Sequence, residues 1–287
     1  MKKESMTRAL FFFIIVTFLT FFGSPFAKGT AKAETFRLTI GAAHPPVVIW
    51  VQRLRDFFCV EVEKRVKEKT GHEIKWVQAF GGTLAKMGEE LEAVEGGVLD
   101  VSLIGLPFEP SKLYLHCFSY FVPFGIADLE QMTEVGFKVY DEVPWLKQVF
   151  EQKFNQKCLA PFASSGNVVI GSFPWQKIED LKGKKIAGAG PNLLWFHPLG
   201  AVPTQINYGE AYSAGKSGVI DGGLATPGTT MAFKLYEVSD YYVECGFGAV
   251  LASVLTMNLN KWQKLPEAVR KILSEVSREY SFDQARA

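Results

Sequence analysis

Gly188-Ala189-Gly190 follows a strand-like run and opens a helix-like one, which is where a phosphate-cradling loop would stand. Its chemistry is incomplete. Leu193 occupies the place of the third glycine of G-x-G-x-x-G, and Pro191 removes a backbone N–H that an anion at a helix start would use. Ser164-Ser165-Gly166 lacks the G-x-S-x-G surroundings of a nucleophile elbow. The histidines His44, His72, His116 and His197 stand near no Ser/Asp combination whose spacing could pair with them, and each reads as structural or surface. Cys59, Cys117, Cys158 and Cys245 follow one another at 58, 41 and 87 residues, with no C-x-x-C and no histidine at zinc-ligand spacing. Cys59 and Cys117 lie in apolar surroundings, as free buried thiols do. The chain therefore reads as a non-enzyme without metal or cofactor.

Binding chemistry is a different matter. After Arg65 the next arginine is Arg270, so the 204 residues between them contain none, although lysine is plentiful there. A cleft built from the middle of the chain lacks the planar guanidinium that grips a carboxylate at two points. Aromatic side chains are abundant instead: Trp50, Trp76, Trp175, Trp195, Phe196, Tyr208, Tyr212, Tyr241 and Tyr242 fall near predicted strand ends. Most should be core. Trp195 and Tyr212, beside turn residues, are the better pocket candidates, because ligand sites of α/β proteins gather where strands end.

The elements that must position these groups alternate along the chain. Phe36, Leu38 and Ile40 alternate with polar residues as in a half-buried strand, and Trp50, Leu54, Phe58, Val62 and Val66 recur every four residues before Thr70-Gly71, predicting a helix of about five turns. A strand over 73–78, a helix carrying Leu84, Met87, Leu91 and Val94, and a continuous apolar strand over 98–104 make a β-α-β-α-β run. Asp128 with Gln131 caps a further helix, and strands are expected around 157–162 and 167–172. A second α/β unit follows: strand 185–189, a helix-like 191–199, strand 202–206, a short helix 210–216 and strand 219–225. Finally 252–258 reads as a strand, and Trp262, Leu265, Val269, Ile272, Val276 and Tyr280 form one helix stripe after Asn260.

Length and composition agree with an ordinary globular α/β protein: 287 residues, 48% hydrophobic and 21% charged. Lys2, Lys3 and Arg8 precede the apolar run 9–22, and Ala31-Lys32-Ala33 ends a small-residue stretch, the layout of a cleavable secretory signal over residues 1–33. Its removal leaves 26 basic and 29 acidic residues, a net charge of −3, and no basic footprint for nucleic acid. The final helix pattern carries no stop signal, so truncation at the C-terminus is expected.

Export, two α/β halves and no catalytic set suggest a periplasmic binding protein. Ala43-His44-Pro45-Pro46, Glu68-Lys69-Thr70-Gly71, Gly81-Gly82, Glu95-Gly96-Gly97-Val98-Leu99-Asp100 and Phe121-Val122-Pro123-Phe124 resemble, in order and spacing, the periplasmic solute receptors of TRAP transporters. The second half continues the likeness with Ile178-Glu179-Asp180-Leu181-Lys182-Gly183, Leu199-Gly200-Ala201-Val202-Pro203, Glu210-Ala211-Tyr212, Gly218-Val219-Ile220-Asp221-Gly222 and Met257-Asn258.

The resemblance implies a two-lobed α/β fold with two mixed or mostly parallel sheets and a ligand cleft between lobes. Lobe I is expected over 34–157 plus 246–287 and lobe II over 158–245. The receptor would capture a small organic solute in the periplasm and deliver it to sodium-coupled TRAP membrane subunits. In that family an arginine usually follows D-L-K-G-x-K-I and clamps the ligand carboxylate, but Ala187 stands there, and Asn167 and Val168 stand where a second arginine is sometimes found. The solute is then a neutral or aromatic compound, or an anion held by lysine and backbone donors. By matching position its contacts are His44, Trp50, Leu106, Pro107 and Phe108 from the first lobe, and Ser165, Asn192, Trp195, Tyr212, Asp221 and Thr226 from the second. An exported enzyme on a similar scaffold and a receptor retained for sensing are the alternatives.

Overall fold

The computed structural model describes residues 33–287, and Glu34–Ala287 forms one compact unit. The expected signal segment lies, up to residue 32, outside the described residues. The unit is built on two five-stranded sheets.

The first sheet has the order β2-β1-β3-β10-β4, from β1 (Thr35–Ala42), β2 (Glu73–Phe80), β3 (Val101–Gly105), β4 (Gln156–Ser164) and β10 (Val250–Asn258). β1 runs parallel to β2 and β3, whereas β10 runs antiparallel to β3 and β4, so the sheet is mixed. The second has the order β7-β6-β8-β5-β9, from β5 (Val168–Gly171), β6 (Lys185–Gly188), β7 (Val202–Gln205), β8 (Gly222–Ala225) and β9 (Tyr241–Val243). Here β6 is parallel to β7 and β8, and β5 is antiparallel to β8 and β9.

Both faces of the first sheet are covered, which is why its central strands are apolar without alternation. Leu103, Leu255 and Met257 face one core with Phe58, Val62 and Val66, and the neighbouring Ile104 and Val254 face the other with Leu91, Tyr140 and Phe150. The period-2 geometry of a strand sends adjacent residues to opposite layers. The first layer is formed by α1 (Ile49–Arg53), a π-helical segment (Leu54–Cys59), α2 (Val60–Thr70) and the C-terminal helices. The second contains α3 (Glu90–Glu95), α4 (Leu129–Glu142) and α5 (Trp145–Phe154). In the second sheet Val169, Ile186 and Leu224 face one cluster, while Val168, Ile170 and Ala225 face α6 (Tyr208–Lys216) and Phe233 and Leu235, which follow α7 (Pro227–Ala232).

The chain passes between the sheets twice, after β4 and before β10, and the two connectors touch. A Cβ on Gly166 would stand 3.0 Å from the Gly248 carbonyl oxygen, and Gly248 itself has φ +85°. The Phe124 N–H donates to the Phe247 carbonyl at 2.8 Å, and the Ala249 N–H to that of Ile126 at 2.7 Å.

Several elements depart from the pattern reading. The expected lobe boundary at 157/158 falls inside β4, which pairs along its length with β10 and so belongs to the first sheet. The helix expected from Leu84 begins only at Glu90, because Gly88 adopts φ +83° and the Glu90 carboxylate accepts its N–H. Residues 191–199 form two 3-10 turns, Gly190–Trp195 and His197–Leu199, where Pro198 withholds an N–H that a continuous α-helix would need. The last stripe is two helices, α8 (Leu259–Lys264) and α9 (Glu267–Arg286). Pro266 forces Leu265 into extended backbone, and the cap of α8 is Asn258, not Asn260.

α9 reaches back to the cleft wall: the buried Tyr280 hydroxyl donates to the Trp50 carbonyl at 2.8 Å. Tyr280→Phe should lower stability by about 1 kcal/mol, read as a lower urea midpoint with unchanged slope.

Candidate functional site

A pocket enclosing about 550 Å3, partly open to solvent, lies where the ends of the two sheets face each other. From the first sheet it is walled by His44 and Trp50 beyond β1, by Pro107 and Phe108 in the 3-10 turn Leu106–Phe108 beyond β3, and by Val250, Ala252 and Ser253 of β10. The second sheet contributes Asn167, Asn192, Tyr208, Thr226 and Thr229, with Ser164 between.

Local sequence explains how these groups are held. Glu90, 3% exposed, accepts the N–H of Ala43 at 3.2 Å and of Gly88 at 3.0 Å, which pins the segment carrying His44. Burial pushes that carboxyl up to about 7. Thr226 and Thr229 cap α7 reciprocally, the Thr226 N–H donating to Thr229 Oγ1 at 2.8 Å and the Thr229 N–H to Thr226 Oγ1 at 3.2 Å. Asn192 Oδ1 accepts the Ala189 N–H at 2.9 Å, and the Gly190 N–H goes to Gln205 Oε1 at 3.0 Å. The Ala189 and Gly190 donors of this turn are thus already used.

Aromatic rings join the two halves across the pocket. His44 meets the Trp50 ring edge-on at 5.3 Å, Tyr208 at 6.1 Å and Phe233 at 6.5 Å. Phe108 meets Tyr208 at 6.5 Å, and Tyr208 stacks on Phe233 at 5.8 Å. Desolvation among these rings lowers the His44 imidazole to about 4 and raises the Tyr208 phenol to about 12, so both are neutral at pH 7. The buried Asn167 lines the pocket and makes no side-chain hydrogen bond among the described residues. No lysine, arginine, aspartate or glutamate lines the pocket. Lys184 instead lies over the Phe173 ring at 4.7 Å, and Lys185 is exposed.

Of the residues singled out by sequence, the pocket brings together His44, Trp50, Pro107, Phe108, Asn192 and Thr226. The others come to rest elsewhere. Leu106 is buried in the core behind β3. Ser165 lies in the connector between sheets, outside the lining. Trp195 stacks between Tyr120 and Phe247 and donates its indole N–H to the Tyr120 carbonyl at 2.6 Å. Tyr212 donates its hydroxyl to Glu237 at 2.9 Å. Asp221 lines an adjoining cavity together with Ala187, and its Oδ2 accepts the Lys185 N–H. Sequence reasoning passed over Asn167 as a contact, together with Tyr120, Tyr208, Thr229 and Ser253. The Thr-Pro-Gly-Thr spacing of a reciprocal cap was the available signal for Thr229.

The halves approach so closely that a Cβ on Gly190 would stand 2.2 Å from the Pro107 carbonyl oxygen, and Gly190 has φ +54°. Gly190→Ala should therefore remain folded but hold the pocket open, read as a larger radius of gyration in small-angle scattering.

The His44 shift carries a pH dependence with a definite sign. Between its folded value near 4 and the ordinary 6.5 the unfolded chain binds the extra proton, so this contribution is complete above pH 6.5 and fades as pH falls toward 4. His116, lowered to about 4 by burial, acts in the same direction. His44→Gln should remove about 1–2 kcal/mol of the stability lost between pH 7.5 and 5, measured by urea unfolding at both values.

A model of the DctP family, the bacterial extracellular solute-binding proteins of family 7, matches residues 56–287. The uncharacterized protein YiiZ of Salmonella typhimurium is 26% identical over 230 residues, covering 77% of this chain and 68% of that protein. Among solved structures, a TRAP periplasmic solute binding protein from Sulfitobacter with bound β-D-galacturonate superimposes with a TM-score of 0.73 at 20% identity, covering 88% of this chain and 81% of the other. A Bordetella pertussis extracytoplasmic solute receptor binding pyroglutamic acid gives 0.73 at 21% identity, covering 88% and 80%. The two-lobed fold is shared.

Proposed function

Since the chain belongs to the DctP family, the bacterial extracellular solute-binding proteins of family 7, we propose that it captures an uncharged small organic solute between its two lobes and passes it to TRAP membrane subunits. The family consists of binding receptors, not enzymes. Its members work outside the cytoplasm, and we assign this chain to the periplasm with residues 1–33 as its cleavable signal. One lobe is the first sheet with its helices, including the segment from Val250 onward, and the other runs from Val168 to Val243.

The observation that carries the proposal is the composition of the pocket wall. Both lobes contribute, and every polar side chain in it is neutral: His44, Trp50, Tyr120, Ser164, Asn167, Asn192, Tyr208, Thr226, Thr229 and Ser253. A desolvated carboxylate is costly unless paired and hydrogen-bonded, and this wall offers no cation. The relatives bound to galacturonate and pyroglutamic acid hold acids. At this site an amide, alcohol or ring hydroxyl fits the available donors and acceptors better. Aromatic rings on both sides supply the remaining contact area, and closure follows from a solute that touches both lobes more favourably than one.

Thermal unfolding of residues 34–287 against organic acids paired with their amide or alcohol analogues tests this. A neutral compound at about 1,000 times its dissociation constant should raise the midpoint by roughly 10 °C. Shifts produced by the acids alone would overturn the neutral-solute reading and leave the receptor assignment standing.

A further inference from the structure

The pocket between the lobes does not end at Tyr208. Phe108, Ala189 and Tyr208 also line a second cavity, between the second sheet and α6 and open at its mouth. The space exists because its walls are made of small residues. Ala187 on β6 is registered with Gly223 on β8, so close that a Cβ on Gly223 would stand 3.1 Å from the Ala187 Cβ, and α6 presents Ala211 and Gly215 opposite them. Ile206 and Leu235 close the sides.

Asp221 is the one charged residue in this lining, and its Oδ2 is already engaged by the Lys185 N–H. An anionic group inside would face that carboxylate with no lysine or arginine in the wall. A polar group would find few free partners, whereas an apolar cavity of this kind accepts an apolar guest.

We propose that this cavity is an annex of the ligand site, which takes an apolar group of phenyl or branched-alkyl size while the polar end of the solute stays with His44, Asn167 and Thr226. The inference rests on the neutral-solute reading above. It makes Ala187 the residue that sets specificity: a larger side chain there occupies the annex and leaves the pocket between the lobes intact.

The test uses protein labelled with 13C at alanine methyls, titrated with 3-phenylpropanamide and propanamide as probes. Ala187 and Ala211 report on the annex, and Ala252 on the pocket between lobes. In the wild type the phenyl probe should shift both annex methyls and bind at least roughly tenfold tighter than propanamide. Ala187→Leu, or Ala211→Leu if the first variant does not fold, should abolish that advantage and leave propanamide binding unchanged. Equal affinities for both probes, with shifts confined to Ala252, would overturn the annex while leaving the receptor reading intact. So would a phenyl advantage that survives both leucine variants. Silence of all three methyls with both probes would overturn the annex as well, and the acid and amide comparison then decides the receptor reading separately.

Discussion

Two strands of backbone crossing side by side are the constraint on which the rest of the molecule depends. Both passages between the sheets run through glycine, Gly166 on one and Gly248 on the other, at a distance that leaves no room for a Cβ. β4 and β10, the strands that feed these crossings, are paired antiparallel from Gln156/Asn258 to Ser164/Val250. The crossings therefore emerge from one rigid ladder instead of from two independent loops. The paired connectors fix where the lobes meet, and the wall formed by His44, Phe108 and Tyr208 lies at that meeting.

The chemistry of the cleft follows from what the crossings bring face to face. A cleft between two lobes is largely dry when closed, so the cost of leaving a charge unpaired there is high. The molecule meets that condition by putting no charge in the lining. His44 is kept neutral by the rings around it, Tyr208 remains a phenol, and the turn over Gly188–Gly190 directs its N–H groups to Asn192 and Gln205 instead of to a ligand. Glu90 is the nearby exception, yet its carboxylate points at the Ala43 and Gly88 amides and acts as a brace for the wall. The wall that results presents shape and neutral hydrogen-bonding groups and no charge.

The departures in helix extent share one cause. Where a proline or a positive-φ glycine interrupts an apolar stripe, the stripe continues in space but the helix does not. Leu265-Pro266 divides the last stripe into α8 and α9 although Trp262 and Val269 face the same core, and Gly88 holds back the start of α3 although Ala85 and Leu91 are buried together. Periodicity reports which face is buried, and backbone chemistry reports where the helix can run. The two signals disagree at those breaks.

The alternation of strand and helix patterns and the two α/β halves are properties of the sequence alone, because they depend on residue order within local stretches, and the absence of arginine between Arg65 and Arg270 is one of composition. The absence of arginine limits any fold those residues could adopt, and the uncharged lining agrees with it. The mixed strand order, the return of Val250–Asn258 to the first sheet and the choice of pocket residues were decided by tertiary structure. His44, Trp195 and Tyr212 look alike in sequence as ring-bearing residues near turns, yet His44 walls the pocket, Trp195 is stacked between Tyr120 and Phe247, and Tyr212 is tied to Glu237. A residue's own neighbours determine which way its side chain leaves the backbone. What it meets there depends on segments as distant in sequence as Asn167 and Ser253, which converge only when the two crossings are packed together.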